Sequence, residues 1–195
     1  MTRIVAGTAG GRRIAVPRTF AGRPTSERAR EALFASLTSR LGSWEGRRFA
    51  DLYAGTGAVG LEALSRGASH GLLVESDRSA ARAIAANARD IGLDDAVVVS
   101  RPVEQVTAAP PAGGPYDVLF LDPPYPLPAA DVRDVVAALL RNGWCATGGV
   151  VVVERASRDA PFPWPDDVDP GTSRRYGDAT FWYGHAHSAG ERRET

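Results

Sequence analysis

Two stretches of the 195-residue sequence combine residue types that could do chemistry. The first is Asp51-Leu52-Tyr53-Ala54-Gly55-Thr56-Gly57-Ala58-Val59-Gly60. Glycines at such a junction permit a tight turn and let a ligand approach backbone that any side chain would block. Glu75 follows Gly55 by 20 residues, where the end of a next strand would place an acid to accept hydrogen bonds from ribose hydroxyls. The pattern fits a dinucleotide as well as a nucleoside, and the plain alternative is a tight turn whose glycines serve packing. Asp51, just before the glycines, would oppose a pyrophosphate but could reach a ligand's ammonium group through water. The rest of the chain is also too short for a separate substrate domain of the dehydrogenase kind. Both points favour S-adenosylmethionine over a nicotinamide dinucleotide.

The second stretch is Asp122-Pro123-Pro124-Tyr125, directly after the apolar run Val118–Leu121. An aromatic exocyclic amine is a poor nucleophile because its lone pair is delocalised into the ring. Asp122 can accept one of its N–H groups and a proline-fixed backbone carbonyl the other, which orients the lone pair toward a methyl donor. Two prolines remove competing N–H donors and stiffen the loop. Tyr125 can stack on a flat base, a contact of about 1–3 kcal/mol per base. The plain alternative is a Pro-rich turn with a surface tyrosine.

The elements that must position these groups are legible from the apolar pattern. Strand-length runs occur at Phe49–Tyr53, Gly71–Val74, Ala96–Val99, Val118–Leu121 and Val150–Val153, separated by helical patterns at Val59–Arg66, Asp77–Ile91, Val103–Val106 and Ala129–Arg141. Continuous apolar strands alternating with helices predict a parallel sheet covered on both faces. In such a sheet the strand C-terminal ends share one crevice, where residues 55 and 122 would meet. Asp77 is a candidate N-cap, with Ala80, Ala81, Ile84, Ala85 and Ala88 as a packed stripe. Beyond Val153, Pro161–Pro170 reads as loop, Arg174–Tyr176 and Thr180–Tyr183 as an antiparallel hairpin, and His185–Thr195 as a frayed tail. Ahead of the sheet, Arg3–Ala6 and Arg12–Val16 flank glycines and predict a short hairpin. Thr25 or Ser26 then caps a helix with Leu33, Phe34, Leu37 and Leu41 on its apolar face.

Composition excludes several classes. Hydrophobic residues make up 44% of the chain, enough for a full core. The one cysteine, Cys145, forms no internal disulfide and no cysteine metal cluster. His70, His185 and His187 lack metal-ligand company, so no metal is expected. Trp44, Trp144, Trp164 and Trp182 read as packing residues. No apolar run is long enough for a membrane span and no leader pattern opens the chain, so a soluble cytoplasmic monomer is expected. The zero net charge hides an asymmetry. Residues 1–26 carry Arg3, Arg12, Arg13, Arg18 and Arg23 with no acid, a charge of +5, and the remainder carries −5. Such a basic head on an acidic body suits a polyanion at one end. The absence of lysine reflects compositional bias and does not mark a phosphate site.

The Gly55–Gly60 loop with Asp-Pro-Pro-Tyr after the fourth strand resembles the Rossmann-like amino-group methyltransferases. Within them, Arg23-Pro-Thr-Ser-Glu-Arg-Ala-Arg30-Glu-Ala-Leu-Phe34 resembles the signature ahead of the first strand in the RsmD family, bacterial enzymes that methylate the N2 of a guanine in 16S rRNA. The opening Arg3-Ile-Val-Ala-Gly and Gly11-Arg12-Arg13 are similar to that family's basic hairpin, and Arg175-Tyr-Gly-Asp-Ala-Thr180 to its closing hairpin. The resemblance implies a mostly parallel seven-stranded sheet with an antiparallel C-terminal hairpin. It divides the chain into a basic extension over 1–24, a methyltransferase domain over 25–185 and a tail over 186–195. It implies that Asp122 and Pro123 hold the guanine amine and Tyr125 stacks on the ring. Asp51, Gly55 and Gly57 would wrap the methionine part of S-adenosylmethionine, Glu75 the ribose, Arg23 and Thr25 the carboxylate side. Relatives often read the adenine with an acid or amide after the third strand; here Ser100-Arg101-Pro102-Val103 leaves the Val103 N–H as the substitute. Arg3, Arg12, Arg13 and Arg18 would meet RNA, with the 16S rRNA presented on an assembled or partly assembled 30S subunit, its target guanine in the helix-31 loop near the P site. The competing readings are an adenine-N6 or protein-glutamine methyltransferase and a nicotinamide oxidoreductase. The glutamine enzymes usually carry Asn at the Asp122 position, and an oxidoreductase leaves Asp122–Tyr125 without a role.

Overall fold

The computed structural model describes residues 2–16 and 25–187. Two short strands, β1 (Thr2–Arg3) and β2 (Arg13–Ile14), pair antiparallel as the expected hairpin, shorter than the apolar pattern suggested. The larger sheet has seven strands in the order β5-β4-β3-β6-β7-β9-β8. Its strands are β3 (Arg48–Leu52), β4 (His70–Val74), β5 (Ala96–Val99), β6 (Tyr116–Leu121), β7 (Cys145–Ala156), β8 (Val168–Tyr176) and β9 (Ala179–Ala186). The helices are α1 (Glu27–Leu41), α2 (Ala58–Ser65), α3 (Arg78–Asp90), the one-turn α4 (Val103–Val106) and α5 (Ala129–Arg141). The chain forms two compact units, residues 1–103 and 104–195.

In the first unit β3, β4 and β5 are parallel, with Asp51 opposite Leu73 and Leu52 opposite Val74. Parallel neighbours need a crossover, and α2 and α3 supply it. α1 starts where Ser26 Oγ accepts the Ala29 N–H at 3.2 Å, and α3 where Asp77 Oδ1 accepts the Ala80 N–H at 2.7 Å. Asp77 is the expected cap, and of the two candidates Thr25 and Ser26 it is Ser26 that caps α1; each cap occupies a donor the helix cannot pair internally. Leu33, Phe34 and Leu37 of α1 are fully buried, and Phe34, Trp44 and Phe49 form one aromatic cluster.

In the second unit β6 and β7 are parallel, while β9 runs antiparallel to both β7 and β8. Three expectations change here. β7 is 12 residues long rather than the four apolar residues of Val150–Val153, because its first half pairs across an irregularity and its last residues, Glu154–Ala156, pair with β9. β8 starts at Val168, inside the segment expected to be loop; its residues 169–175 are exposed, so nothing apolar announces it. β9 continues through His185 and Ala186, where a tail was expected, with His185 opposite Val150. Cys145 is half-buried, and burial together with Asp117 pushes its thiol up to about 12. Among the described residues no helix is long and apolar enough to cross a membrane.

Candidate active site

The glycine loop is built by opposed constraints at the end of β3. Tyr53 has φ of 70°, the one non-glycine with positive φ among the described residues. Gly55 and Gly57 follow at 57° and 75°. A strained residue held beside two left-handed glycines fixes a sharp reversal from strand to helix. Gly57 is the N-cap of α2 and offers no capping side chain. The buried Asp51 supplies the missing acceptor instead: its Oδ2 takes the Gly60 N–H, in the first turn, at 2.8 Å. A negative carboxylate there also meets the positive end of the helix. Gly60 itself is required by packing, since a Cβ would lie 2.7 Å from Leu73 and 3.1 Å from Asp51.

Glu75 follows β4 and is half exposed. Its Oε2 accepts the Gly55 N–H and its Oε1 the Asp77 N–H, both at 2.8 Å. The carboxylate is thereby aimed; Ser76 Oγ also donates to Oε1 at 3.5 Å, and Oε2 keeps a lone pair for a further donor. A pair of vicinal ribose hydroxyls is the donor set that such an anchored acid fits. Val103 is buried at the start of α4, and Thr25 is half-buried with its carbonyl accepting from Arg30 Nη1 at 2.8 Å.

In the second unit β6 ends at Leu121 and delivers Asp122 to the mouth of its loop. Pro123 is buried, Pro124 exposed, and the Pro124 carbonyl accepts the Leu127 N–H at 2.9 Å, which closes the turn before α5. Tyr125 is 50% exposed, one of two large hydrophobic side chains so open among the described residues. Burial pushes the Asp122 carboxyl up to about 7, against the pull of the Arg155 guanidinium, and no hydrogen bond contributes. Its acceptor capacity is therefore uncommitted, as an amine-orienting group needs.

The basic head divides. Arg18 and Arg23 lie outside the described residues. Arg3 is exposed and pairs with Glu27 at 2.9 Å. Arg12 donates to the Asp90 carbonyl at 2.6 Å, at the C-terminal end of α3, and Arg13 is exposed. What holds this hairpin was not legible beforehand. Ser65 Oγ accepts the Ala9 N–H and donates to the Ala6 carbonyl, while Asn87 accepts the Ala15 N–H and donates to the Ala15 carbonyl. The fully buried Arg30 contacts Glu62, Thr2, Thr25 and the Arg3 carbonyl, and Glu62 also binds Arg66 and the Val5 N–H. Asn87 broke the apolar stripe of α3, and Glu62 sat inside an apolar helix. Polar residues at buried positions were the available signal. Arg155 gave no such signal, because only the fold buries it.

A mostly parallel sheet with an antiparallel closing hairpin, carrying a glycine loop with its acid and an Asp-Pro-Pro-Tyr turn, defines the class of Rossmann-like methyltransferases. The family model described as conserved hypothetical protein 95 matches residues 2–185. The ribosomal RNA small subunit methyltransferase D of Escherichia coli K12 is 34% identical over 152 residues, covering 78% of this chain and 73% of that one. Its namesake in Haemophilus influenzae is 30% identical over 167 residues, 85% of this chain and 83% of its own. The solved structure of yhhF from Escherichia coli superposes with a TM-score of 0.83 at 27% identity, over 95% of this chain and 98% of the other. The chain belongs to this family, the RsmD family.

Proposed function

We propose that the chain transfers a methyl group from S-adenosylmethionine to the exocyclic N2 of a guanine in 16S rRNA. The observation that carries this reading is Asp122, whose carboxylate stands without a hydrogen-bond donor at the end of β6, followed by a buried proline and an open tyrosine, in a chain of the RsmD family. When bound, the cofactor supplies an electrophilic methyl on a sulfonium: the amine lone pair forms the N–C bond while the C–S electron pair returns to sulfur. Asp122 accepts one amine N–H and then the proton that the methylated nitrogen releases. The Pro124 carbonyl is spent within the turn, which favours the Pro123 carbonyl for the second N–H. Tyr125 stacks on the base. Glu75 binds the ribose and the Gly55–Gly57 turn the methionine part. Arg23 and Thr25 serve the cofactor's carboxylate side, and the Val103 N–H reads the adenine.

Asp51 takes a double role, capping α2 and opposing anionic ligands at the loop. Arg3, Arg12, Arg13 and Arg18 face RNA, and the substrate is the rRNA within an assembled or partly assembled 30S subunit, met in the cytoplasm by a monomer. Incubation with labelled S-adenosylmethionine and small subunits from a strain lacking the endogenous enzyme tests the reading, with mass spectrometry locating the methyl group. Incorporation at guanine N2 is expected; label on adenine N6 or on protein would refute it. Thermal stabilisation by S-adenosylhomocysteine but not NADH is the accompanying check on the cofactor, since a ligand that binds the folded state stabilises it by an amount that grows with the logarithm of its concentration over its Kd.

A further inference from the structure

We propose that Arg155 is a positioning residue for Asp122, a buried counter-charge that keeps the Asp122 carboxylate available to the target amine. This rests on the assignment of Asp122 above. β7 runs beside β6 with Leu121 opposite Val153, so Asp122 leaves β6 where β7 continues into Glu154 and Arg155. Arg155 is 5% exposed, and its Nε and Nη1 have no hydrogen-bond partner among the described residues. Its one ion pair among the described residues is loose: Nε to Asp159 Oδ2 is 3.4 Å. Burying a guanidinium with donors unmet is costly, and folds seldom retain one without a reason. The charged side chains around this strand end are Glu154 and Arg155 of β7, with Asp159 and the exposed Arg158 in the turn beyond; β6 carries Asp117 toward its other end. The Arg155 charge acts on Asp122 in the sense that favours its ionised form.

The chemistry needs that charge. A neutral Asp122 would present an O–H donor on one oxygen and could not receive the amine proton. Burial favours the neutral form, and the cation opposes it. Arg155 touches neither amine nor cofactor in this scheme and acts through Asp122 alone. Its Nε and Nη1, unmet among the described residues, are the donors through which it would hold the carboxylate.

The test is the pH dependence of single-turnover methyl transfer, with the cofactor saturating, for the full-length wild type, Arg155→Gln and Arg155→Lys. In Arg155→Gln the acidic limb should move up by about one pH unit or more, with most of the rate recovered at high pH, while Arg155→Lys keeps the wild-type limb to within about half a unit. A uniform loss at every pH in Arg155→Gln, with its limb unmoved, would overturn the proposal. Arg155→Met, apolar and of similar length, is the second variant should Arg155→Gln fold poorly. A readout without turnover separates this from the assigned reaction. The difference in unfolding temperature between the wild type and Asp122→Asn, followed over pH, reports the Asp122 pKa directly. Its midpoint should rise when Arg155 is replaced by Gln or Met in both proteins. An unchanged midpoint would reject the pair even if methyl transfer is confirmed.

Discussion

Asp122 carries two opposed demands, and both can be measured. In its proposed role as acceptor of the amine it must be ionised, so replacing it with Ala should cost about 100-fold or more in the single-turnover rate with the fold intact, the scale of removing a catalytic electrostatic group. A near-native rate would strip Asp122 of its role. With its carboxyl pushed up to about 7 by burial, turnover should fall as pH drops through that value. Stability runs the other way. A carboxyl whose folded pKa is raised favours folding below its unfolded value near 4, and that contribution is lost as pH rises through about 7. Asp122→Asn should therefore raise the unfolding temperature at pH 8 and change it little at pH 4. Equal shifts at both would show that the carboxyl titrates normally. At Glu75 the expected effect is on binding: Glu75→Ala should weaken S-adenosylhomocysteine in calorimetry by more than it slows the saturated reaction. Because Glu75 also holds the Gly55 N–H at 2.8 Å, an unchanged dissociation constant would remove both roles together.

At the scale of elements, the N-terminal hairpin is fastened by few but specific contacts. Gly7 has φ of +86°, and a Cβ there would lie 1.8 Å from the Ser65 carbonyl oxygen. That oxygen accepts the Thr8 N–H at 2.7 Å, so the approach is part of the docking. Gly7→Ala must push the hairpin off α2, with a penalty of order 1–3 kcal/mol from the backbone conformation alone. Limited proteolysis should then cut within residues 2–16 while S-adenosylhomocysteine affinity persists. Wild-type protection of that segment in the variant would mean the close approach is dispensable. Asn87 performs a related service, matching both backbone groups of Ala15 with one amide.

For the whole molecule, the charge split matters more than the net charge of zero. The net-acidic remainder repels a polyanion on balance, which makes the arginine-rich head the proposed RNA surface. Each phosphate neutralised releases counterions, and affinity falls steeply with salt. Reversing the charge at Arg12 and Arg13 should flatten the dependence of log affinity on log salt by roughly one to two units and weaken binding across RNA sequences. Cofactor affinity should stay unchanged. Filter binding to small subunits over a salt series decides the matter. Unaltered slope and affinity would move the RNA surface elsewhere, with the exposed Arg174 and Arg175 of β8 next in line. Arg12 should also be substituted alone, because it already donates to the Asp90 carbonyl.

The sequence by itself determined the sheet strands with continuous apolar runs, the cap at Asp77, the cap of α1 to within Thr25 or Ser26, and both chemical motifs. These depend on local rules: strand burial on two faces, a donor left over at a helix start, glycine where φ must be positive. Tertiary structure alone decided the rest. The exposed strand β8 exists because β9 offers it a paired edge, not because its own residues are apolar. Asp51, read from the sequence as a ligand group, caps α2, since Gly57 brings no side chain to that position. Arg155 looks like any surface arginine in the chain. It becomes a buried charge beside Asp122 only because β7 runs past the end of β6, a relation between residues more than thirty positions apart that no local pattern encodes.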